Sequence, residues 1–225
     1  MSTYLDLCKD LRAECGVSGT DTTVVSATGE WARMCNWVKK AWIEIQEKHP
    51  DWEWKRKSFT FNTIANQGEY TAVQAGVTDL GEWKPASFRL YLQAAGVGSE
   101  QLIGFKHYNI FRDYYLLSTR KTTYARPTEV SISPSRTILL GLIPNDVYVV
   151  SGEYFTAPIT LALDADTPDM PAQFHNAIVY RAMMHYGSFE AASEVYERGQ
   201  QQYKEMMASL RLHQLPRMTR GGPMI

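Results

Sequence analysis

Hydrophobic positions along this chain follow two different periods. Near both ends they recur every three or four residues, and between about 52 and 156 they alternate every second residue. Toward the C-terminus, Phe174, Ile178, Ala182 and His185 form one helical stripe, widened by Ala177 and Met184. Gly187-Ser188 interrupts it. A second run follows through Phe189, Ala192, Val195 or Tyr196, Gly199, Tyr203, Met206 and Leu210, with Glu190, Glu194, Glu197, Gln201, Lys204 and Glu205 on its other face. The pattern predicts a long amphipathic helix over 171–213, or a pair kinked at Gly187, whose apolar side needs other helices to cover it. Pro171 suits a first helical turn. Asp166, Thr167 and Asp169 before it read as capping and turn residues.

The covering helices are legible at the other end. Over 30–48, Trp31, Met34 or Cys35, Val38, Trp42 and Ile45 share a stripe, and His49-Pro50 stops it because a residue before proline avoids helical dihedrals. Over 3–15 the stripe is Tyr4 or Leu5, Cys8, Leu11 or Ala13, and Cys15, with Gly16 as the stop. Val17–Gly29 between them is a polar, Gly/Ser/Thr-rich loop, open to a plain surface role or to a subunit contact.

In the middle, Trp52 and Trp54 fall on one face of an incipient strand, leaving Glu53 and Lys55 outside, and Ser58–Thr63 continues the alternation. Gln67–Tyr70 reads as a turn into a short strand, and 72–83 as a loop-rich connection. Phe88–Leu92 is a strand returning through Gly96–Ser99 to Glu100–Phe105. Lys106–Leu117 carries Tyr108, Phe111 and Tyr115 at helical spacing. Segments 129–133, 137–142 and 146–156 alternate around short turns, which predicts an antiparallel meander. The fold class expected is α+β. Residues 1–50 and 157–213 form a discontinuous helical bundle, 51–156 an antiparallel β-rich subdomain with one short helix, and 214–225 an extended C-terminal tail.

Composition narrows the function more than the fold. With 225 residues and 44% hydrophobic content, the chain can bury a bundle core and a β subdomain. A formal net charge of −1 argues against a dedicated nucleic-acid binder. No apolar run approaches the roughly 18 residues of a membrane span, and the first residues lack the pattern of a signal peptide, so a soluble protein made in a cytosol is expected. Cys8, Cys15 and Cys35 have no CxxC or nearby histidine pattern and read as reduced thiols.

A search for chemistry returns nothing that selects a reaction. Asp164, Asp166 and Asp169 lack the glycine and distal glutamate of a calcium loop. His175 and His185 are ten residues apart and are not an i,i+4 ligand pair, and neither HExxH nor GxSxG occurs. Glu44, Glu47 and Glu53 read as an exposed helical face rather than a glycosidase pair. No catalytic residue, metal ligand or cofactor is predicted. The final stretch, Leu212–Ile225, has the prolines and glycines of a segment outside the core. Its Leu215, Met218, Met224 and Ile225 are nevertheless apolar, as a segment that orders on a partner would be.

Several motifs carry a family resemblance. They are Tyr4-Leu5-Asp6-Leu7-Cys8, Leu11-Arg12 and Gly16–Gly19; then Trp31, Trp37-Val38, Ala41-Trp42, Ile45-Gln46 and Pro50-Asp51-Trp52. Most distinctive is Pro171-Ala172-Gln173-Phe174-His175 running through Ala177-Ile178-Val179 and Ala182 to Glu190-Ala191-Ala192 and Tyr196, with Leu215-Pro216 beyond. Over nearly its whole length the chain resembles the head-to-tail adaptor (connector) proteins of tailed bacteriophages, similar to the tail tubular A-type.

The resemblance implies a structural virion protein rather than an enzyme. It would form a homo-oligomeric ring, typically a dodecamer, joining the portal protein to a tail or nozzle protein and continuing the DNA channel. It would sit at the head–tail interface of the virion, and in the host cytoplasm during assembly, without a membrane. It also implies that Leu215, Pro216, Arg217, Met218, Thr219, Arg220, Met224 and Ile225 dock on the portal or on a neighbouring subunit. Lys55, Arg56 and Lys57, or Arg120 and Lys121, are candidates for a basic patch facing passing DNA. The alternatives are a DNA-end-binding protein and a virion-associated hydrolase.

Overall fold

A computed structural model describes residues 1–20, 22–117 and 119–215. The chain divides into one unit made of Met1–Lys55 with the residues from Pro158 onward, and a second made of Arg56–Ala157. The fold is α+β: helices at both ends of the chain flank a strand-rich middle that is largely antiparallel.

Among the described residues, four α-helices build the first unit. Helix α1 (Tyr4–Glu14) starts at a capping box: Thr3 Oγ1 accepts the Asp6 N–H, and the Asp6 carboxylate accepts the Thr3 N–H. Those bonds hold the Asp6 carboxyl below its ordinary range. The helix ends where Gly16 takes φ +68°, a conformation that favours glycine. Helix α2 (Gly29–Lys48) buries Trp31, Met34, Cys35, Val38, Ala41, Trp42 and Ile45 and stops at an extended His49 before Pro50. Cys8 and Cys35 are buried, Cys15 is half-buried, and none forms a disulfide.

The C-terminal run is two helices, α4 (Asn176–Phe189) and α5 (Ser193–Gln214). The break lies at 190–192, where Ala191 takes φ +55°, and not at Gly187. Gly187 stays inside α4 for a different reason. A Cβ there would lie 2.8 Å from the Tyr196 nitrogen and 2.9 Å from the Ala192 oxygen, so the glycine admits the close approach of α5.

Pro171 leads into a 3-10 turn (Ala172–Phe174) before α4, and no side chain caps either. The expected capping aspartates fold the preceding loop instead. Asp166 accepts the N–H groups of Ala162 and Leu163 at 2.6 and 2.8 Å. Asp164 accepts the Val24 N–H at 2.6 Å and the Thr23 hydroxyl at 2.8 Å, which ties down the polar loop between α1 and α2. Trp31 adds a bond from Nε1 to the Thr23 carbonyl at 2.7 Å.

The expected strand at Trp52 and Trp54 is absent. Glu53–Lys55 is a 3-10 turn, the two indoles stack at 4.4 Å with 20° between their planes, and both pack into the bundle core. Aromatic stacking and burial in the helical core outweigh the period-two pattern here, and Lys55 is buried rather than outside.

The second unit packs two four-stranded sheets over a shared core of Phe59, Phe61, Tyr70, Trp83, Phe88, Val130, Ile138, Leu140, Tyr148, Val150 and Tyr154. Its strands are β1 (Arg56–Asn62), β2 (Glu69–Tyr70), β3 (Leu80–Leu92), β4 (Gln101–Leu102), β5 (Gly104–Phe105), β6 (Glu129–Ile132), β7 (Ile138–Gly141) and β8 (Tyr148–Thr156). One sheet runs β1-β8-β3-β4 and is antiparallel throughout; the other runs β2-β7-β6-β5, with β5 parallel to β6.

Two expectations fail here. Strand β3 begins at Leu80, inside the stretch read as loop. The meander also stops at the β6–β7 hairpin, because β8 crosses to the other sheet and inserts between β1 and β3. Nine-residue β8 finds partners of seven and thirteen residues there, whereas β7 has only four. Pairing between the long strands satisfies more of its backbone groups.

Candidate docking surface

The segment after β5 carries apolar residues on two sides. Helix α3 (Tyr108–Phe111) runs into a π turn (Arg112–Leu116) and then a 3-10 turn (Thr119–Thr122). On the inner side, Phe111 and Tyr115 are buried against Leu139, with ring centroids 4.8 Å apart. Gly141 makes room for them, since a Cβ there would meet the Tyr115 ring at 2.9 Å. Burial, and after it the neighbouring Glu129 carboxylate, push the Tyr115 hydroxyl up to about 12.

The outer side is the unusual one. Ile110 is 58% exposed, Tyr114 41% and Leu117 72%, and Phe105 and Tyr124 on the flanking segments are also exposed. Single exposed apolar residues are ordinary, but a cluster within one short segment marks a contact surface. Cations frame it: the Arg120 guanidinium sits 3.8 Å from the Tyr114 ring centroid, and Lys106 Nζ 5.0 Å from it. A pocket of about 150 Å³ is lined by Phe111, Tyr115, Leu139, Leu142 and Ile143, with Arg120 and Lys121 also on its wall. Leu142 there holds φ +65°, a conformation a leucine rarely adopts. π turns and such strained positions both concentrate at functional surfaces.

The sequence-predicted site residues are distributed differently. Leu215 caps α5, its N–H bonded to the Arg211 carbonyl at 3.0 Å, and is packed against the bundle core. Pro216, Arg217, Met218, Thr219, Arg220, Met224 and Ile225 lie outside the described residues. Of the three basic residues at 55–57, Lys55 is buried, Arg56 pairs with Glu153 at 2.6 Å, and Lys57 pairs with Asp79 at 2.7 Å. The outward stripe Ile110–Tyr114–Leu117 was missed. Its signal was present as a second apolar set, at spacings of four and three, beside the inward Phe111–Tyr115 pair.

No catalytic constellation accompanies these surfaces among the described residues. Among the described residues no group of three or more His, Cys, Asp or Glu side chains is placed to hold a metal ion. His175 and His185 are both engaged within the helical unit. His175 is buried with Nε2 3.0 Å from the Met170 carbonyl and Nδ1 accepting the Ser2 N–H, and burial lowers its pKa. His185 lies 3.2 Å from a Glu44 carboxylate oxygen that also takes the Arg181 Nε–H at 2.5 Å. Burial alone would raise the Glu44 carboxyl, but Arg181 and His185 outweigh it and the net shift is downward. No helix among the described residues is long and apolar enough to cross a membrane.

The SU10 adaptor protein family matches residues 2–224, nearly the whole chain, and the chain belongs to that family. This agrees with the resemblance to phage head-to-tail adaptors drawn from the α1, α2 and α4 motifs. No curated protein matches the chain.

Proposed function

We propose that the protein is a non-enzymatic ring-forming adaptor that joins the portal to the tail of a bacteriophage virion and continues the channel through which DNA passes. The observation that carries this reading is the family match over residues 2–224. The exposed stripe Ile110–Tyr114–Leu117 supports it by supplying a surface suited to a protein neighbour. In this reading the partners are the portal, a tail or nozzle protein, and further copies of the chain. DNA passes without sequence readout, as the net charge of −1 suits.

Leu215 marks where the last helix is tied off, and Pro216 cannot continue it because it lacks the N–H donor. Residues 216–225 then serve as the portal-docking segment, with Met218, Met224 and Ile225 as apolar contacts and Arg217 and Arg220 as partners for carboxylates. Arg56 and Lys57 belong to the channel-facing surface. The test is electron microscopy of the protein mixed with its portal, with and without residues 216–225. Rings seated on portal only for the full chain are expected. Equal attachment of the truncated chain removes the docking role, and absence of any ring or attachment for the full chain removes the adaptor geometry.

A further inference from the structure

The sheet β1-β8-β3-β4 has two edges, and only one of them is guarded. On the β3 side, β4 covers just Arg89 and Leu90; the rest of that edge is broken by irregular register at 80–82 and 84–89 and by Pro85. Proline and bulges are devices that keep an edge from pairing with another chain. Strand β1 has neither. It is regular over all seven residues, pairs only with β8, and no strand lies on its other side among the described residues. Its two cations stand at one end and are occupied within the chain, Arg56 by Glu153 and Lys57 by Asp79. Ser58–Asn62 carries no charge and no proline.

The hydrogen-bond phase of the free edge follows from the ladder. Thr63 donates its N–H to the Tyr148 carbonyl at 2.7 Å, next to the Asn62–Val149 pair. Alternate residues face alternate sides, so Lys57, Phe59 and Phe61 also bond toward β8. Arg56, Ser58, Thr60 and Asn62 therefore turn their N–H and C=O groups outward, and all four are exposed. None of the N–H and C=O groups of these four residues makes a turn, loop or cap bond among the described residues.

We propose that this edge pairs antiparallel with the same edge of a second copy of the chain, about a two-fold axis at Phe59. Ser58 then stands opposite Thr60 of the other copy, and Arg56 opposite Asn62, each as a hydrogen-bonded pair. Like charges never meet in this register, and hydroxyl faces hydroxyl on the solvent side, which is what cross-strand pairing favours. Residue by residue the edge is complementary to itself, and that selects a second copy as the occupant. A two-fold contact closes on itself and does not propagate. The pair is thus a state of the free chain and does not depend on the adaptor reading.

Sedimentation equilibrium of the full chain tests it. Wild type is expected to shift with concentration from the 25.6 kDa chain mass toward twice that value. Thr60→Pro, which removes one outward N–H on an edge strand, should stay monomeric, and Thr60→Ala, which keeps the N–H, should still pair. Hydrogen exchange on wild type gives a second reading if the proline variant unfolds: the Ser58, Thr60 and Asn62 amides should slow as concentration rises. A chain that stays monomeric with unslowed amides overturns the proposal. So does a dimer that survives a folded Thr60→Pro variant, and so does pairing of this edge only with a different protein.

Discussion

A Cβ built on Gly187 would sit 2.8 Å from the backbone nitrogen of Tyr196. Helices α4 and α5 therefore meet through a glycine in one and main chain in the other. Gly187→Ala ought to help an isolated helix by about 1 kcal/mol. In this protein the obstacle is backbone and cannot swing aside, so a net loss of about 1–3 kcal/mol is expected. Urea denaturation measures it, and an alanine variant as stable as wild type would mean that α5 does not approach so closely.

Trp42 and Phe174 are 1% and 6% exposed in the bundle core. Truncating either to alanine should cost about 3–5 kcal/mol, because the emptied space is walled by neighbours that relax only in part. Chemical denaturation checks both; losses under about 1 kcal/mol would place these rings at the surface.

Stability should fall on mild acidification. Burial lowers the folded-state pKa of His175, and also of His185 despite the Glu44 carboxylate beside it. Below the ordinary histidine value of about 6.5 the unfolded chain takes up protons that the folded chain resists. The stabilisation is complete above that value and is lost as pH falls toward the lowered folded values. His175→Gln should flatten the slope of melting temperature against pH below about 6.5. An unchanged slope would exclude His175 as a contributor.

Ile110→Ser and Leu117→Ser alter the exposed stripe beyond α3. Both side chains are mostly solvated, so stability should change by no more than about 0.5 kcal/mol. Assembly with a protein partner should weaken. Thermal melts paired with ring or portal-attachment imaging separate the two effects, and full assembly by both variants would leave the stripe without a role.

The sequence by itself determined the helices and most of their inner faces, though Phe189 of the expected stripe is exposed and Met207 rather than Met206 is the buried methionine of α5. Repeats of three and four put Trp31, Val38, Trp42, Ala177 and Ile178 inside, and the structure buries all five. Helical periodicity is local, so it survives without knowledge of partners. The family resemblance was legible in the same segments. The sheet assignment of β8 was not, because an alternating strand shows which face is buried and not which strand lies beside it. Nor was the fate of Trp52, Trp54 and Lys55, where stacking in the bundle core replaced a local strand pattern. Asp166 looks like a helix cap in a linear reading but closes its own loop through Ala162 and Leu163, and Asp164 becomes a tie only once the loop at 23–24 folds back on it. The spacing of the outward stripe was present in the sequence, but its exposure, like the unguarded edge of β1, belongs to the tertiary structure. Exposure and vacancy are properties of what packs nearby, and no residue carries them alone.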